Sequence, residues 1–152
     1  MVNRTKTNRK NGNTRKRYSS TSIISSFNKQ VTVTFLEILL MVKLFHWKTH
    51  SYATHKATDE LYDTLNDHMD TFIEVLLGKT GTRIDLLNNK KISLIDLSSP
   101  EQLKAKVEGF KSYLVSLTNN KALSNMNDTD LLNIRDEILG DLNKFLYLLT
   151  FK

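Results

Sequence analysis

Apolar residues recur at steps of three and four along four separate stretches of this 152-residue chain. The single proline, Pro100, stands at the head of one of these stretches and inside none. That period places a row of side chains on one face of an α-helix, and strand signals are weak throughout. In the first stretch, predicted over roughly 27–49, the row is Phe27, Val31, Phe35, Ile38, Val42 and Phe45. Leu36, Leu39, Leu40 and Leu44 widen it, so this helix is expected to be buried on more than one side. The second runs from about Ala53 to Leu77 with Leu61, Leu65, Met69, Phe72 and Leu76 inward, and Gly78 is expected to stop it. Residues 79–98 link it to the third and contain a short apolar piece, Ile84 to Leu87, that can form a small helix of its own. Ser99 suits the N-cap of the third helix, Pro100 its first turn and Gln102 a capping box. Its stripe is Leu103, Val107, Phe110, Leu114 and Leu117. The fourth starts near Asp128 and runs toward Phe151, with Leu131, Ile134, Ile138, Leu142, Phe145 and Leu149 inward. Four amphipathic helices with one long link between the second and third predict an all-α four-helix bundle with a single crossover connection.

Charge divides the chain in two. Residues 1–17 hold Arg4, Lys6, Arg9, Lys10, Arg15, Lys16 and Arg17, and the first acid is Glu37. Seven of 22 basic residues lie in that segment, which leaves 15 against 16 acids for the rest. The high pI therefore belongs to the segment and the remainder is close to neutral. Residues 1–22 carry almost nothing apolar to offset their ordering entropy, and are expected to be a disordered basic arm ahead of a bundle over 23–152. Without cysteine there is no disulfide, thiolate metal site or cysteine nucleophile, which fits an intracellular protein. No secretory signal is evident. The apolar run from Val33 to Trp47 is interrupted by Glu37 and Lys43 and reads as too short and too charged to cross a bilayer.

All four histidines fall between His46 and His68, among a crowd of carboxylates. His55 and Asp59 are four apart on the second helix, and so are Asp70 and Glu74. From Asp59 to Asp70 is eleven residues, close to three turns, so the four side chains share a sector of about 100° beside the apolar stripe. One chain cannot close a metal site with them. Asp59 and Asp70 are separated by roughly 16 Å of helix rise, while a metal–ligand bond is about 2 Å long. A second copy of the helix, antiparallel about a two-fold axis near residues 64–65, would bring Asp70 and Glu74 of one subunit opposite His55 and Asp59 of the other, giving two equal sites. His46, at the end of the first helix, can complete each one. Two imidazoles and three carboxylates suit iron or a similar divalent metal.

The segment "HW" at 46–47, H-x-x-x-D at 55–59 and D-x-x-x-E at 70–74, in the context "LYDTLNDHMDTFIE", resembles the ferroxidase signature of the Dps-type mini-ferritins. The C-terminal "NDTDLLNIRDEILGDLNKFLYLL" is similar to the last helix of that family, with Tyr147 where a tryptophan is common. The resemblance spans about residues 27–151, and some members carry a basic arm. It also extends to small ferritin-like proteins of large DNA viruses and phages, which share an "HKATDELY"-like segment. What it implies is a ferritin-like bundle assembled through two-fold dimers into a hollow dodecamer. Fe²⁺ would be bound at the dimer interface, oxidised to Fe³⁺ by peroxide or O₂, and stored. His46, His55 and Asp59 would come from one subunit, and Asp70 and Glu74 from its mate. The step of nine residues from His46 to His55 is shorter than the family's, which makes His50 the alternative ligand.

Other readings run alongside. His50 and His68 read as solvated residues. Asp63 and Asp67 read as a solvated face or as carboxylates that guide a cation in. Trp47 and the methionines read as core. For the arm, phosphate contacts to nucleic acid without sequence preference are favoured over an import signal at "RKR", 15–17, or a purely solubilising role. Binding to an acidic membrane is the weakest reading, since the arm has no apolar anchor. The main rival to iron chemistry is a non-enzymatic protein on the same fold, a viral or chromatin component that condenses nucleic acid and uses the carboxylates to hold its dimer. The location is then cytoplasm or nucleoid, or nucleus or virion.

Overall fold

A computed structural model of the chain describes residues 20–89 and 91–151. Five α-helices follow in order: α1 Ser20–Lys48, α2 Tyr52–Thr80, α3 Pro100–Ser116, the single turn α4 Lys121–Ser124, and α5 Thr129–Leu148. Among the described residues there is no strand. α1 and α2 have 29 residues each, about 43 Å of helix. They form a hairpin through the three-residue turn 49–51. Phe35 of α1 meets Phe72 of α2 edge-on at 5.4 Å and Phe110 of α3 at 6.1 Å. α5 packs along α2 and also touches α3, so the four long helices close a ring around one core. The predicted inward rows fill that core: six side chains of α1, five of α2 and five from Leu103 to Leu117 are all buried, as are Leu131, Ile138, Leu142 and Phe145 of α5.

The departures have physical reasons. α1 begins at Ser20, inside the segment expected to be the arm, because Ile23 and Phe27 already pack on the core. Its widened stripe is not buried all round: Leu36 and Leu40 are exposed on the outer side. By length and composition α1 is also apolar enough to cross a membrane, contrary to the reading from sequence. Its inward row is nonetheless spent on the bundle core. α2 runs through Gly78 and stops at Gly81, which takes φ +63°, the left-handed conformation that ends a helix. Ile84 to Leu87 forms no helix; the described residues of the link, 81–89 and 91–99, run without regular structure apart from a turn closed by Asn89 N–H on the Leu86 carbonyl.

Ser99 caps α3 by accepting from Gln102 N–H at 3.3 Å. The return bond of the capping box is displaced by one residue: the Gln102 side chain accepts from Ser98 N–H at 2.8 Å, not from Ser99. Asp128 precedes α5 but its side chain makes no capping bond. Between α3 and α5, Asn120 caps α4 by accepting from Ala122 N–H, which buries Ala122 and Leu123. Buried Arg135 of α5 reaches across to the end of α3. It donates to the Leu114 carbonyl at 3.0 Å and the Thr118 hydroxyl at 2.9 Å, and its Nε donates to Asp136 at 2.7 Å. The Leu114 carbonyl lies in the last turn of α3 and also accepts from Leu117 N–H, so the cation adds a second bond there.

Candidate metal centre at the turn between α1 and α2

The short turn 49–51 sets the last turn of α1 beside the first turn of α2. Ser51 starts α2 by accepting from Thr54 N–H at 3.2 Å. His46, near the end of α1, and His55, near the start of α2, are thereby brought face to face, with ring centroids 3.9 Å apart and planes at 23°. Each ring bonds the other residue's backbone. His46 Nδ1 lies 3.0 Å from the His55 carbonyl, and His55 Nδ1 lies 3.1 Å from the His46 carbonyl. The His46 carbonyl is among the last four of α1 and would otherwise lack a partner inside the helix.

A carbonyl oxygen only accepts, so both Nδ1 atoms carry the proton. A ring that donates from Nδ1 to the backbone can offer only Nε2 to a metal, which is how a metal-binding imidazole is held in proteins. Thr58, fully buried, supports the arrangement. Its hydroxyl lies 3.3 Å from His46 Nδ1 and donates to the Thr54 carbonyl at 2.8 Å. His46 itself is only 7% exposed.

Asp59 completes the cluster. Its Oδ1 sits 3.7 Å from His46 Nε2 and 3.8 Å from Lys43 Nζ. The Lys43 ammonium rests over the Tyr62 ring at 4.6 Å and balances the carboxylate, so a cation entering beside Asp59 competes with it. His46, His55 and Asp59 are thus brought together in one chain. His50 lies exposed in the turn, away from the stacked rings.

Asp70 and Glu74 are exposed on α2, about three to four turns beyond Asp59, and among the described residues no side chain pairs with them. Asp63 and Asp67 are exposed on the same side, so with Asp59 five carboxylates share a sector of roughly 80° on the outward face of α2. Among the described residues, no group of three or more His, Cys, Asp or Glu side chains in one chain is arranged to hold a metal ion. The histidine cluster and the Asp70–Glu74 pair are two separate halves.

Two expectations are corrected. Trp47 is not core: it is 68% exposed beside the cluster, whereas Met41 and Met69 are buried as expected. His68 is not solvated: its Nδ1 donates to Asp141 of α5 at 2.8 Å, and its Nε2 lies 3.5 Å from Glu137. The sequence also carried signals that were passed over. Lys43 and Thr58 each stand three residues from a histidine, on the same helix face, and these are the two side chains that support the cluster. The seven arm cations, Arg4 to Arg17, lie outside the described residues.

The fold and the paired imidazoles define an all-helical bundle with a polar cluster built into its first hairpin. The chain belongs to a family of unknown function, DUF5856, whose match covers residues 46–149. The match opens on His46 and contains His55, Asp59, Asp70 and Glu74, while residues 1–45, with most of α1, lie outside it. No solved structure matches the chain.

Proposed function

We propose that the protein is a ferritin-like, Dps-like iron protein that binds Fe²⁺ between two subunits and oxidises it. The observation that carries this reading is the reciprocal bonding of His46 and His55, in which both Nδ1 atoms donate to backbone carbonyls and His46 Nε2 stands 3.7 Å from Asp59. Imidazole nitrogen and carboxylate oxygen are a donor set that suits Fe²⁺. Asp70 and Glu74 supply the missing half from a partner chain, since each is exposed and uncommitted. The outward carboxylates of α2 would repel their copies across a two-fold axis unless cations lay between them, which ties dimer formation to the bound ion. Iron is here the substrate: two Fe²⁺ ions give up one electron each and one peroxide, with two protons, accepts both to leave two waters. The chain's own residues hold the ions in place, and Lys43 balances Asp59 until they arrive.

The exposed Leu36 and Leu40 of α1 lie on apolar surface that a subunit contact would cover. A hollow dodecamer is the assembly proposed, with non-specific nucleic-acid binding by Arg4, Lys6, Arg9, Lys10, Arg15, Lys16 and Arg17. The test is anaerobic addition of Fe²⁺ followed by peroxide, with ferric absorbance and sedimented mass recorded together. Fast oxidation in a large particle, lost in the double variant Asp70→Ala/Glu74→Ala, is the expected result. A small particle that binds no iron contradicts it and leaves the rival reading, a nucleic-acid-condensing protein whose carboxylates serve only the dimer.

A further inference from the structure

α1 carries more apolar surface than the bundle core uses. Only 44% of the 18-residue stretch that makes it apolar enough to cross a membrane is buried. At about 100° per residue, Leu36, Leu40 and Trp47 share a sector of roughly 40° on its outer side, and all three are exposed. Val33 and Leu44, half-buried, flank them. From Leu36 to Trp47 the strip spans about 16 Å of helix rise. Lys43 stands at its edge nearest α2, where it meets Asp59 at 3.8 Å and the Tyr62 ring at 4.6 Å.

Asp59 in turn begins the outward row of carboxylates on α2, which continues through Asp63, Asp67, Asp70 and Glu74 over about 22 Å of rise. The Lys43–Asp59 contact therefore joins the edge of one row to the edge of the other, and both lie on the same outer side of the hairpin. Packed helices stand about 8–10 Å apart, so the apolar strip and the acidic row run side by side within the width of one further helix. Among the described residues, no side chain pairs with Asp63, Asp67, Asp70 or Glu74, and Lys56 is the one cation of α2 in that sector.

The charge of the row selects what covers the strip. A second copy brings a like row of carboxylates and needs cations between the two. An anionic membrane is repelled by the same row. Residues 1–17 carry seven cations but, past Met1 and Val2, no apolar side chain, so they match the row and leave the strip bare. A helix with apolar residues on one face and Lys or Arg along one flank meets both needs at once. We propose that the outer side of the α1–α2 hairpin docks an amphipathic basic helix of a partner protein, about 15 residues long to match the two rows. Its apolar face lies on Leu36, Leu40 and Trp47, and its cations pair with Asp63, Asp67, Asp70 and Glu74. The docking does not depend on the iron reading. Where iron bridges two subunits through this face, the partner helix and the iron-bound dimer exclude each other.

Trp47 is the chain's one tryptophan, and its emission reports cover over the strip. The experiment uses the full chain in EDTA, which removes metal ions and so separates this test from the iron reading. The probe is a tryptophan-free helical peptide of about 16 residues, with leucines at steps of three and four and lysines along one flank. It is expected to bind saturably and move the Trp47 emission to shorter wavelength. A peptide of the same composition with its leucines scattered, and one with glutamate in place of lysine, should each bind at least about tenfold more weakly. Asp63→Asn/Asp67→Asn should weaken the peptide roughly fivefold, and Leu36→Gln/Leu40→Gln roughly tenfold. All four positions are exposed, so the core stays intact. A metal-free dimer in sedimentation, an emission shift with phosphatidylglycerol vesicles and not with the peptide, or peptide binding that appears only when salt releases residues 1–17 gives the face to another occupant and overturns the proposal. So does the absence of a saturable shift, equal binding of the scattered peptide, or undiminished binding by either pair of variants.

Discussion

His46 and His55 at the hairpin turn, and His68 halfway along α2, make opposite use of the same side chain. At the turn, each ring donates its Nδ1 proton to a backbone carbonyl, and neither Nδ1 faces a carboxylate. At His68 the partners are the carboxylates of Asp141 and Glu137, one near each nitrogen, and the ring ties α2 to α5. A backbone carbonyl takes one proton and brings no net charge. A carboxylate brings a full negative charge to the hydrogen bond it accepts from the ring. In the proposed function the first arrangement prepares a ligand, whereas the second fastens two helices. What separates a site from a clasp on this helix is therefore the partner of the imidazole and not its position in the sequence.

The contrast is broken most severely by exchanging which histidine is removed. His55→Ala should lower Fe²⁺ affinity about 100-fold or more by anaerobic titration, while His68→Ala changes it less than about twofold. Equal losses in both would mean that the two regions do not differ as described. Thr58→Val tests the support beneath the ligand. It removes the hydroxyl beside His46 Nδ1 with little change in volume, and about a tenfold loss of Fe²⁺ affinity is expected with helix content unchanged.

The clasp has its own readout. His68→Ala and Asp141→Ala should each destabilise by roughly 1 kcal/mol in urea unfolding, the low end for a bond to a charged group because the pair is partly exposed. Together they should cost less than the sum, since they remove one shared contact. Smaller still is the effect at Asp130, whose carboxyl is held below its ordinary value of 3.8, chiefly by the hydrogen bond from Lys79. A lowered carboxyl stabilises the fold above the unfolded pKa and ceases to do so as pH falls through the folded one. Asp130→Asn should thus narrow the stability difference between pH 6 and pH 3 slightly. An unchanged difference removes that ion pair from the account.

Much of the bundle could be read before its structure. Sixteen of the predicted inward side chains on α1, α2 and the run from Leu103 to Leu117 are buried, because a row at three- and four-residue steps leaves a helix little choice about which face it hides. Helix ends were less legible. Gly78 and Gly81 are both plausible stops by composition, and only the backbone conformation at Gly81 distinguishes them. Gly81→Ala should cost about 1 kcal/mol, whereas Gly78→Ala, open on all sides, should gain up to about 1 kcal/mol.

Half of the site was legible as well. Spacing alone put His55 and Asp59 on one face and His46 at the adjoining helix end, and the short turn does the rest. The stacking of the rings and their exchange of backbone bonds depend on the entry angle of two helices, which no spacing rule encodes. His68 was misread because its partners are 69 and 73 residues away on α5, and a long-range ion pair leaves no local pattern.

The claim on which the function rests is that the site is shared between two chains, and mixing tests it directly. Neither His55→Ala nor Asp70→Ala/Glu74→Ala should bind Fe²⁺ tightly alone. In a mixed two-fold dimer, one site collects both defects and the other none. Equal amounts, unfolded and refolded together, should therefore recover about a quarter of the wild-type sites. Recovery near that fraction is what a shared site predicts. No recovery from well-folded mixed dimers would contradict it.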